Sequence, residues 1–232
     1  MCALFPFLTL MKTPFDPTLA EIDERAPEPP VPVSRLHPHW LRERFSQPPE
    51  WTPEFSHEKS LLDKEGPLVA ASVLVPLVVQ ADELRLLLTQ RTAHLHDHAG
   101  QISFPGGRVD PEDENAIATA LREAEEEIGL HRRHVEVIGT LPEYVTGTGF
   151  RVTPVVALVH PPFELSADEF EVAEIFEVPL SFLMDGANHQ RRSAILPSRP
   201  DRRSFYAMPF GDYFIWGATA AMLRNLYHFL RA

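Results

Sequence analysis

A Gly-rich loop followed by an amphipathic helix, between Gly106 and Leu130, constrains the fold of this chain more than any other feature. The helical repeat predicts a helix from Ala116 to Ile128. Its apolar residues recur at i, i+3, i+4 and i+7 and form one stripe: Ile117, Ala120, Leu121, Ala124 and Ile128. Such a stripe is typical of a helix that packs one face against a sheet.

The ends of this helix carry residues that favour capping. At the start, either Asp110-Pro111 or Asp113 can supply the N-terminal cap. At the end, Gly129 followed by Leu130 predicts a left-handed cap with an apolar contact.

The same helix gathers carboxylates away from the apolar stripe. Glu123, Glu126 and Glu127 are three or four residues apart and therefore share one face. Like charges this close repel one another, so the cluster requires a compensating cation. Because the ligands are oxygens with no Cys or obligate His, Mg²⁺ or Mn²⁺ is favoured over zinc. The alternative is a solvated acidic face with Arg122 as its salt-bridge partner.

These residues closely resemble the Nudix box of pyrophosphate-cleaving hydrolases. The usual box runs Gly, five residues, Glu, seven residues, Arg-Glu, an aliphatic residue, any residue, Glu-Glu, any residue, Gly and an aliphatic residue. Here fourteen residues separate Gly107 from Arg122, one more than in that pattern. Counting forward from Gly107 therefore makes Asp113 the first acid of the box, whereas counting back from Arg122 makes it Glu114.

The resemblance implies a fold, a metal site and a reaction. The fold is the Nudix α/β/α sandwich, an α/β fold with a mixed sheet and the box helix after the Gly-rich loop. Glu123, Glu126 and Glu127 are expected to hold Mg²⁺ or Mn²⁺, with the Gly107 carbonyl as a further ligand. Arg122 is expected to orient a Glu side chain. The chemistry is metal-assisted attack of water on phosphorus.

Two further segments resemble the coenzyme A diphosphatase branch of the Nudix hydrolases. One is the stretch from Leu87 to Gly107, which includes Leu-Leu-Thr-Gln-Arg at 87 to 91 and His-Ala-Gly-Gln at 98 to 101. The other runs from Ile215 to Ala220. They imply hydrolysis of coenzyme A or acyl-CoA to 4′-phosphopantetheine and adenosine 3′,5′-bisphosphate. The alternatives are a Nudix pyrophosphatase for ADP-ribose, a dinucleotide or a dNTP, and a non-catalytic nucleotide-binding module.

Several residues in and around the loop are candidates for substrate binding, including Gly106 and Gly107 themselves. Arg91 and Arg108 flank Gly106 and Gly107, and their guanidinium groups match phosphate oxygens. His98 is expected to hydrogen-bond near the active site because of its place in the branch signature. The alternation of His94, His96 and His98 also suggests a zinc site, which is the less favoured interpretation. Arg151 is a weaker phosphate-binding candidate.

One of Glu123, Glu126 and Glu127 is a candidate for deprotonating the water, and acidic residues downstream of the box offer a further metal ligand or a general base. The sequence does not choose among Glu143, Asp168, Glu169 and Glu171.

Four apolar runs of strand length predict the sheet: Leu68 to Val79, Leu84 to Thr89, Val135 to Leu141 and Val152 to Val159. A second helix is predicted from Gly217 to Leu230. We place a Nudix domain at 66–232, an accessory segment at 36–65 and a Pro-rich, extended arm at 1–35, since eleven of the 23 prolines precede residue 54.

The composition of the chain argues against some classes of binding partner. The formal net charge of −12 argues against nucleic acid, whose binding depends on Lys and Arg. The apolar start at residues 1–10 is too short to cross a membrane, so no membrane partner is expected. Cys2 is the only cysteine, which favours a cytoplasmic location. The expected partner is a small-molecule substrate, and a homodimer is one assembly considered.

Overall fold

The computed structural model describes residues 15–24, 27–54, 67–95, 100–195 and 202–232. The strands described there are, in chain order, β1 (Glu21–Ile22), β2 (Val69–Val79), β3 (Leu84–Arg91), β4 (Ile102–Ser103), β5 (Gly106–Arg108), β6 (Val135–Thr140), β7 (Tyr144–Val145), β8 (Phe150–Val159), β9 (Val172–Pro179), β10 (Gln190–Ile195), β11 (Arg202–Phe210) and β12 (Tyr213–Trp216). The helices are α1 (Pro38–Ser46), α2 (Ala116–Ile128), α3 (Leu180–Leu183) and α4 (Gly217–Arg231). Among the described residues, no helix is long and apolar enough to span a membrane.

The larger sheet is mixed. Its strands follow the order β4-β3-β2-β8-β6, with β5 also paired to β2, β7 to β8 and β9 to β3. The long strands β2 and β8 are parallel over ten residue pairs, whereas the other pairs in this sheet are antiparallel. Both central strands are rich in Val, which suits a sheet that is covered on both faces.

Helices cover both faces of this sheet. On one face, Ala120, Ala124 and Ile128 of α2 pack against Leu74 and Val155 of the central strands. On the other face, residues of α1 and α4 share a core with alternate residues of the same strands. This core includes Leu41, Val75, Leu77, Val156, Leu158, Leu223 and Leu226. The α/β/α sandwich with a mixed sheet is therefore confirmed.

The helix α2 has the predicted bounds, but two details were wrong. Its N-terminal cap is Asn115, whose side chain accepts from the Ile117 and Ala118 amides, and not Asp110 or Asp113. Ile117 is 37% exposed because it lies in the first turn, beyond the edge of the sheet contact. The left-handed cap at Gly129 is confirmed, with φ of 68°.

A second sheet was not predicted. It is antiparallel, with the order β1-β10-β11-β12, and it leads directly into α4. Strand β10 reads Gln-Arg-Arg-Ser-Ala-Ile, so it lacks the apolar alternation that identifies a half-buried strand. Its polar groups are instead bonded, since Arg192 donates to the carbonyls of Thr18 and Ala20.

The N-terminal residues that the structure describes lie against the rest of the chain. Strand β1 pairs with β10, and the Val31 amide donates to the Met184 carbonyl. Two short 3-10 helices, at Pro17–Leu19 and Val33–Leu36, interrupt the backbone that was predicted to be extended. Within the accessory segment, α1 buries Leu41 completely.

Candidate functional site

The two glycines of the loop allow three elements to approach closely. Gly106 and Gly107 lie on β5, which pairs with Val73 and Ser72 of β2. A Cβ on Gly106 would collide with the Ser72 carbonyl, and one on Gly107 would collide with the Glu123 carboxylate. Gly106 is therefore required for the close approach of β5 to β2, whereas Gly107 leaves the space that the Glu123 carboxylate occupies.

Glu127 is the most perturbed acid of the site. It is 6% exposed, its Oε2 accepts from the Gly106 amide at 3.1 Å, and its Oε1 lies 3.8 Å from Arg91 Nη1. Burial raises its pKa to about 8, and the negative charges of Glu123 and Glu171 add to the rise. The Gly106 amide and Arg91 offset this only in part. Among the described residues, the positive charge near this buried carboxyl group is therefore too small to compensate its burial.

Arg122 links the loop to the other acids of α2. Its Nε and Nη2 donate to Asp113 at 3.0 and 2.9 Å, and its Nη1 donates to both Glu123 and Glu126 at 2.9 Å. Arg122 Nη2 also donates to the Arg108 carbonyl at 3.1 Å. Burial raises the pKa of Glu123 even though Arg122 opposes the rise.

The structure distinguishes the two candidates for the first box acid. Asp113 binds Arg122 and also accepts from the Thr119 hydroxyl at 2.9 Å and the Asp110 amide at 3.0 Å. The Arg122 guanidinium holds the pKa of Asp113 well below its usual range. Glu114 is exposed. Of the two candidates, Asp113 is therefore the one that contacts the box helix.

The two arginines predicted to bind phosphate occupy different places. Arg91, at the end of β3, lies between Glu127 and Glu171, with its Nη2 at 3.9 Å from Glu171 Oε2. Its Nε is buried and has no hydrogen-bond partner in the part of the chain that the structure describes. Arg108 places its guanidinium 5.4 Å from the centre of the Phe150 ring.

The remaining histidine and arginine candidates are less central. His96 and His98 lie outside the described residues, so the predictions for them rest on the sequence. The ring of His94 lies 4.9 Å from that of Phe170. Arg151 pairs with Glu143 at 3.6 Å.

Of the downstream acids, the structure brings Glu171 to the site. Its negative charge raises the pKa of both Glu123 and Glu127. It reaches them because β3 pairs with β9 with Arg91 opposite Val172, a long-range register that spacing along the sequence does not reveal. Asp168 instead caps its own turn by accepting from the Phe170 amide.

Comparison with known proteins decides the family. A family model described as "NUDIX domain" matches residues 69–196. An "Uncharacterized Nudix hydrolase NudL" from Escherichia coli (strain K12) is 44% identical over 156 residues, which cover 67% of this chain and 80% of that relative. The corresponding protein of Citrobacter koseri is 45% identical over the same length and the same shares of both chains. The chain belongs to the Nudix hydrolases.

Solved Nudix structures are also similar to the chain. A MutT/nudix family protein from Enterococcus faecalis has a TM-score of 0.46 at 18% identity, covering 82% of this chain and 73% of that one. The NUDIX domain of Shewanella oneidensis NrtR, crystallised with ADP ribose, has a TM-score of 0.39 at 20% identity, covering 54% of this chain and 84% of that one.

The Nudix box of this chain is suited to a divalent cation in the chemistry of its donors. Nudix hydrolases generally use divalent metal ions, and the acids on α2 offer the hard carboxylate oxygens that Mg²⁺ and Mn²⁺ prefer. Within the described residues, no three His, Cys, Asp or Glu side chains converge as a metal-binding group. Glu123 and Glu126 share Arg122, and Glu127 bonds the Gly106 amide. Burial raises the pKa of Glu127, so the described groups around it compensate its negative charge only in part.

Proposed function

We propose that this Nudix hydrolase cleaves the pyrophosphate of coenzyme A or an acyl-CoA, releasing 4′-phosphopantetheine or its acyl form and adenosine 3′,5′-bisphosphate. The supporting observation is the approach of Arg91 to Glu127. Arg91 belongs to the segment that resembles the coenzyme A branch, and Glu127 belongs to the Nudix box. The residues that suggest the substrate therefore lie beside those that suggest the reaction.

The carboxylates of α2 are assigned to the metal. Glu123, Glu126 and Glu127, with the Gly107 carbonyl, would hold Mg²⁺ or Mn²⁺. When bound, such a cation neutralises phosphate charge and lowers the pKa of the attacking water. Arg122 keeps Glu123 and Glu126 together through a single Nη1, so it is a positioning residue.

The positively charged side chains near the loop are proposed to bind the substrate. Because the protein carries a net charge of −12, a pyrophosphate must be met by local positive groups. Arg91 and Arg108 are the proposed phosphate ligands, and Arg91 is the one that lies beside Glu127. Glu171 is the proposed proton acceptor from water, since its carboxylate acts on Glu123 and Glu127 from outside the helix.

A substrate comparison tests the proposal. Hydrolysis of coenzyme A, dephospho-coenzyme A, ADP-ribose and a dNTP is measured under saturating Mg²⁺ or Mn²⁺, and the products are identified by mass. We expect the highest kcat/KM for coenzyme A or an acyl-CoA. A higher kcat/KM for ADP-ribose would overturn the choice of substrate while leaving the Nudix chemistry intact. Binding without any product would instead favour the non-catalytic module.

Location and assembly stay predictions. The single Cys2 favours the cytoplasm. A homodimer would be detected by light scattering at several protein concentrations.

A further inference from the structure

Phe170 is a large aromatic residue that folding does not explain. It is 65% exposed, although it lies in the turn from Asp168 to Glu171 beside the proposed active site. The ring of His94 approaches it at 4.9 Å with an angle of 59° between the two planes. One side of Phe170 is therefore flanked by a second ring, and much of its surface faces solvent.

The turn that carries Phe170 is held in place from both sides. The Phe170 amide donates to Asp168 Oδ1, and its carbonyl accepts from the Thr92 hydroxyl, both at 2.8 Å. The Asp168 amide donates to the Glu127 carbonyl, also at 2.8 Å. The backbone that carries the ring is thus fixed relative to the strand that ends at Arg91 and to the box helix. A fixed backbone reduces the conformational entropy that the residue loses when it binds a ligand.

The turn that carries Phe170 lies close to the proposed binding site of the pyrophosphate. The next residue, Glu171, lies 3.9 Å from Arg91, which in turn lies 3.8 Å from Glu127. In a nucleotide, the base is separated from the phosphates by a single ribose. If the pyrophosphate of a nucleotide binds at Arg91, its base is therefore expected to lie near Phe170.

We propose that Phe170, flanked by His94, stacks the nucleobase of the substrate; the identification of that base as adenine rests on the proposed function. Aromatic side chains bind bases through their π faces with little dependence on sequence. The turn also carries the carboxylates of Asp168 and Glu169. Carboxylate oxygens accept hydrogen bonds, so they complement the amino group of a purine.

Binding of AMP and of ribose 5-phosphate, which lacks the base, tests the proposal. Dissociation constants are measured by calorimetry with Mg²⁺ present for the unaltered protein, Phe170→Ala and Phe170→Trp. We expect Phe170→Ala to weaken AMP about tenfold and to leave ribose 5-phosphate unchanged. Phe170→Trp should keep AMP affinity because it restores a π face.

Ile195→Ala is the matched control, since Ile195 is 67% exposed on β10. It should not change either dissociation constant, and the thermal midpoints of all variants should stay close because both side chains are mostly exposed. The proposal is overturned if Phe170→Ala binds AMP normally, if it weakens both ligands equally, or if the unaltered protein does not bind AMP. Failure to hydrolyse coenzyme A, with loss of AMP binding in Phe170→Ala, would overturn only the proposed substrate.

Discussion

At the scale of single residues, Glu127 shows that the site is built at a cost to stability. A carboxylate that is 6% exposed, with its nearest cation at 3.8 Å, loses more hydration than its partners replace. The result is the pKa of about 8. A residue chosen for stability at this position would be apolar, so a functional role explains the acid better.

We expect Glu127→Gln to lower kcat by about 10²–10⁴-fold. The amide keeps an acceptor for the Gly106 N–H but removes the charge assigned to the metal. Because burial already disfavours the charged form of Glu127, the neutral amide should leave the thermal midpoint unchanged or raise it. Steady-state hydrolysis and thermal unfolding measure the two effects, and undiminished kcat would contradict the role of Glu127.

Glu125→Gln is the matched control on the same helix. Glu125 faces away from the site and pairs with His131 and Arg132, so its loss should leave kcat unchanged. Equal losses in both variants would indicate a general effect on α2 and not a specific effect on the site.

A second expectation at this scale concerns Gly107. In Gly107→Ala, the new Cβ would displace the flexible end of Glu123, whose carboxylate now lies against the glycine. The backbone of Gly107 has no positive φ, so the variant should fold with a nearly unchanged midpoint. Its kcat should fall by about tenfold or more, since one carboxylate assigned to the metal is moved. Normal turnover would show that Glu123 can move without consequence.

At the scale of elements, the box loop is joined to its helix by a few directed contacts. Asp113 accepts hydrogen bonds from Arg122, Thr119 and Asp110, and Arg122 in turn holds the acids of the helix. The loop therefore sets the geometry of the carboxylates through Arg122.

Asp113→Ala and Glu114→Ala separate the two candidates for the first box acid. We expect Asp113→Ala to lower kcat/KM by about tenfold to a hundredfold, because Arg122 loses the partner that orients it. The exposed Glu114 should be replaceable without effect. The opposite result, with Glu114 as the sensitive residue, would show that the contacts of Asp113 are not those used in catalysis.

Elements with a strong local pattern were predictable from the sequence. The repeat that ends at Ile128 and Gly129 defines α2, and the Val-rich runs define β2 and β8. The N-terminal cap of α2 was not predictable in this way. Asp110, Asp113 and Asn115 are all good capping residues, and only the backbone conformation decides among them. Strand β10 and the approach of Glu171 to Arg91 depend on long-range pairing, which leaves no local signal.

At the scale of the whole molecule, the N-terminal segment is part of the core. Leu41 of α1 is fully buried, and Phe45 and Trp51 both pack against Phe229 of α4. Glu28 and Glu54 each approach Arg224, also on α4, at 2.9 Å. The segment from 27 to 54 thus completes the face of the sheet that α4 begins to cover.

Leu41→Ala should therefore lower the free energy of unfolding by about 2–5 kcal/mol. Urea denaturation measures this, with Leu19→Ala as the control because Leu19 is 83% exposed. If both variants are as stable as the unaltered protein, the accessory segment does not contribute to the core in solution.

The stability of the molecule should also depend on His189. Burial lowers its pKa to about 4, with repulsion from Arg224 adding to the effect. Since an unfolded His takes up a proton near pH 6.5, protonation favours the unfolded chain between pH 6.5 and 4, and stability is lost as the pH falls through this window. The loss attributable to His189 is about 2–3 kcal/mol.

Urea denaturation at pH 7, 5.5 and 4.5 checks this for the unaltered protein and for His189→Gln. The variant removes the titrating group, so its free energy of unfolding should change less over the same range. If the free energy of unfolding falls equally with pH in both proteins, the loss of stability comes from groups other than His189.

The hydrogen bonds between Arg35 and the end of α4 have a consequence for biosynthesis. Arg35 Nη1 donates to the carbonyls of Leu230 and Arg231, which follow it by 195 and 196 residues. At about 5–20 residues per second, a ribosome needs roughly 10–40 seconds to make the intervening chain. Throughout that time the apolar residues of α1 lack their contacts with α4, so we expect the nascent chain to bind chaperones until α4 has been synthesised.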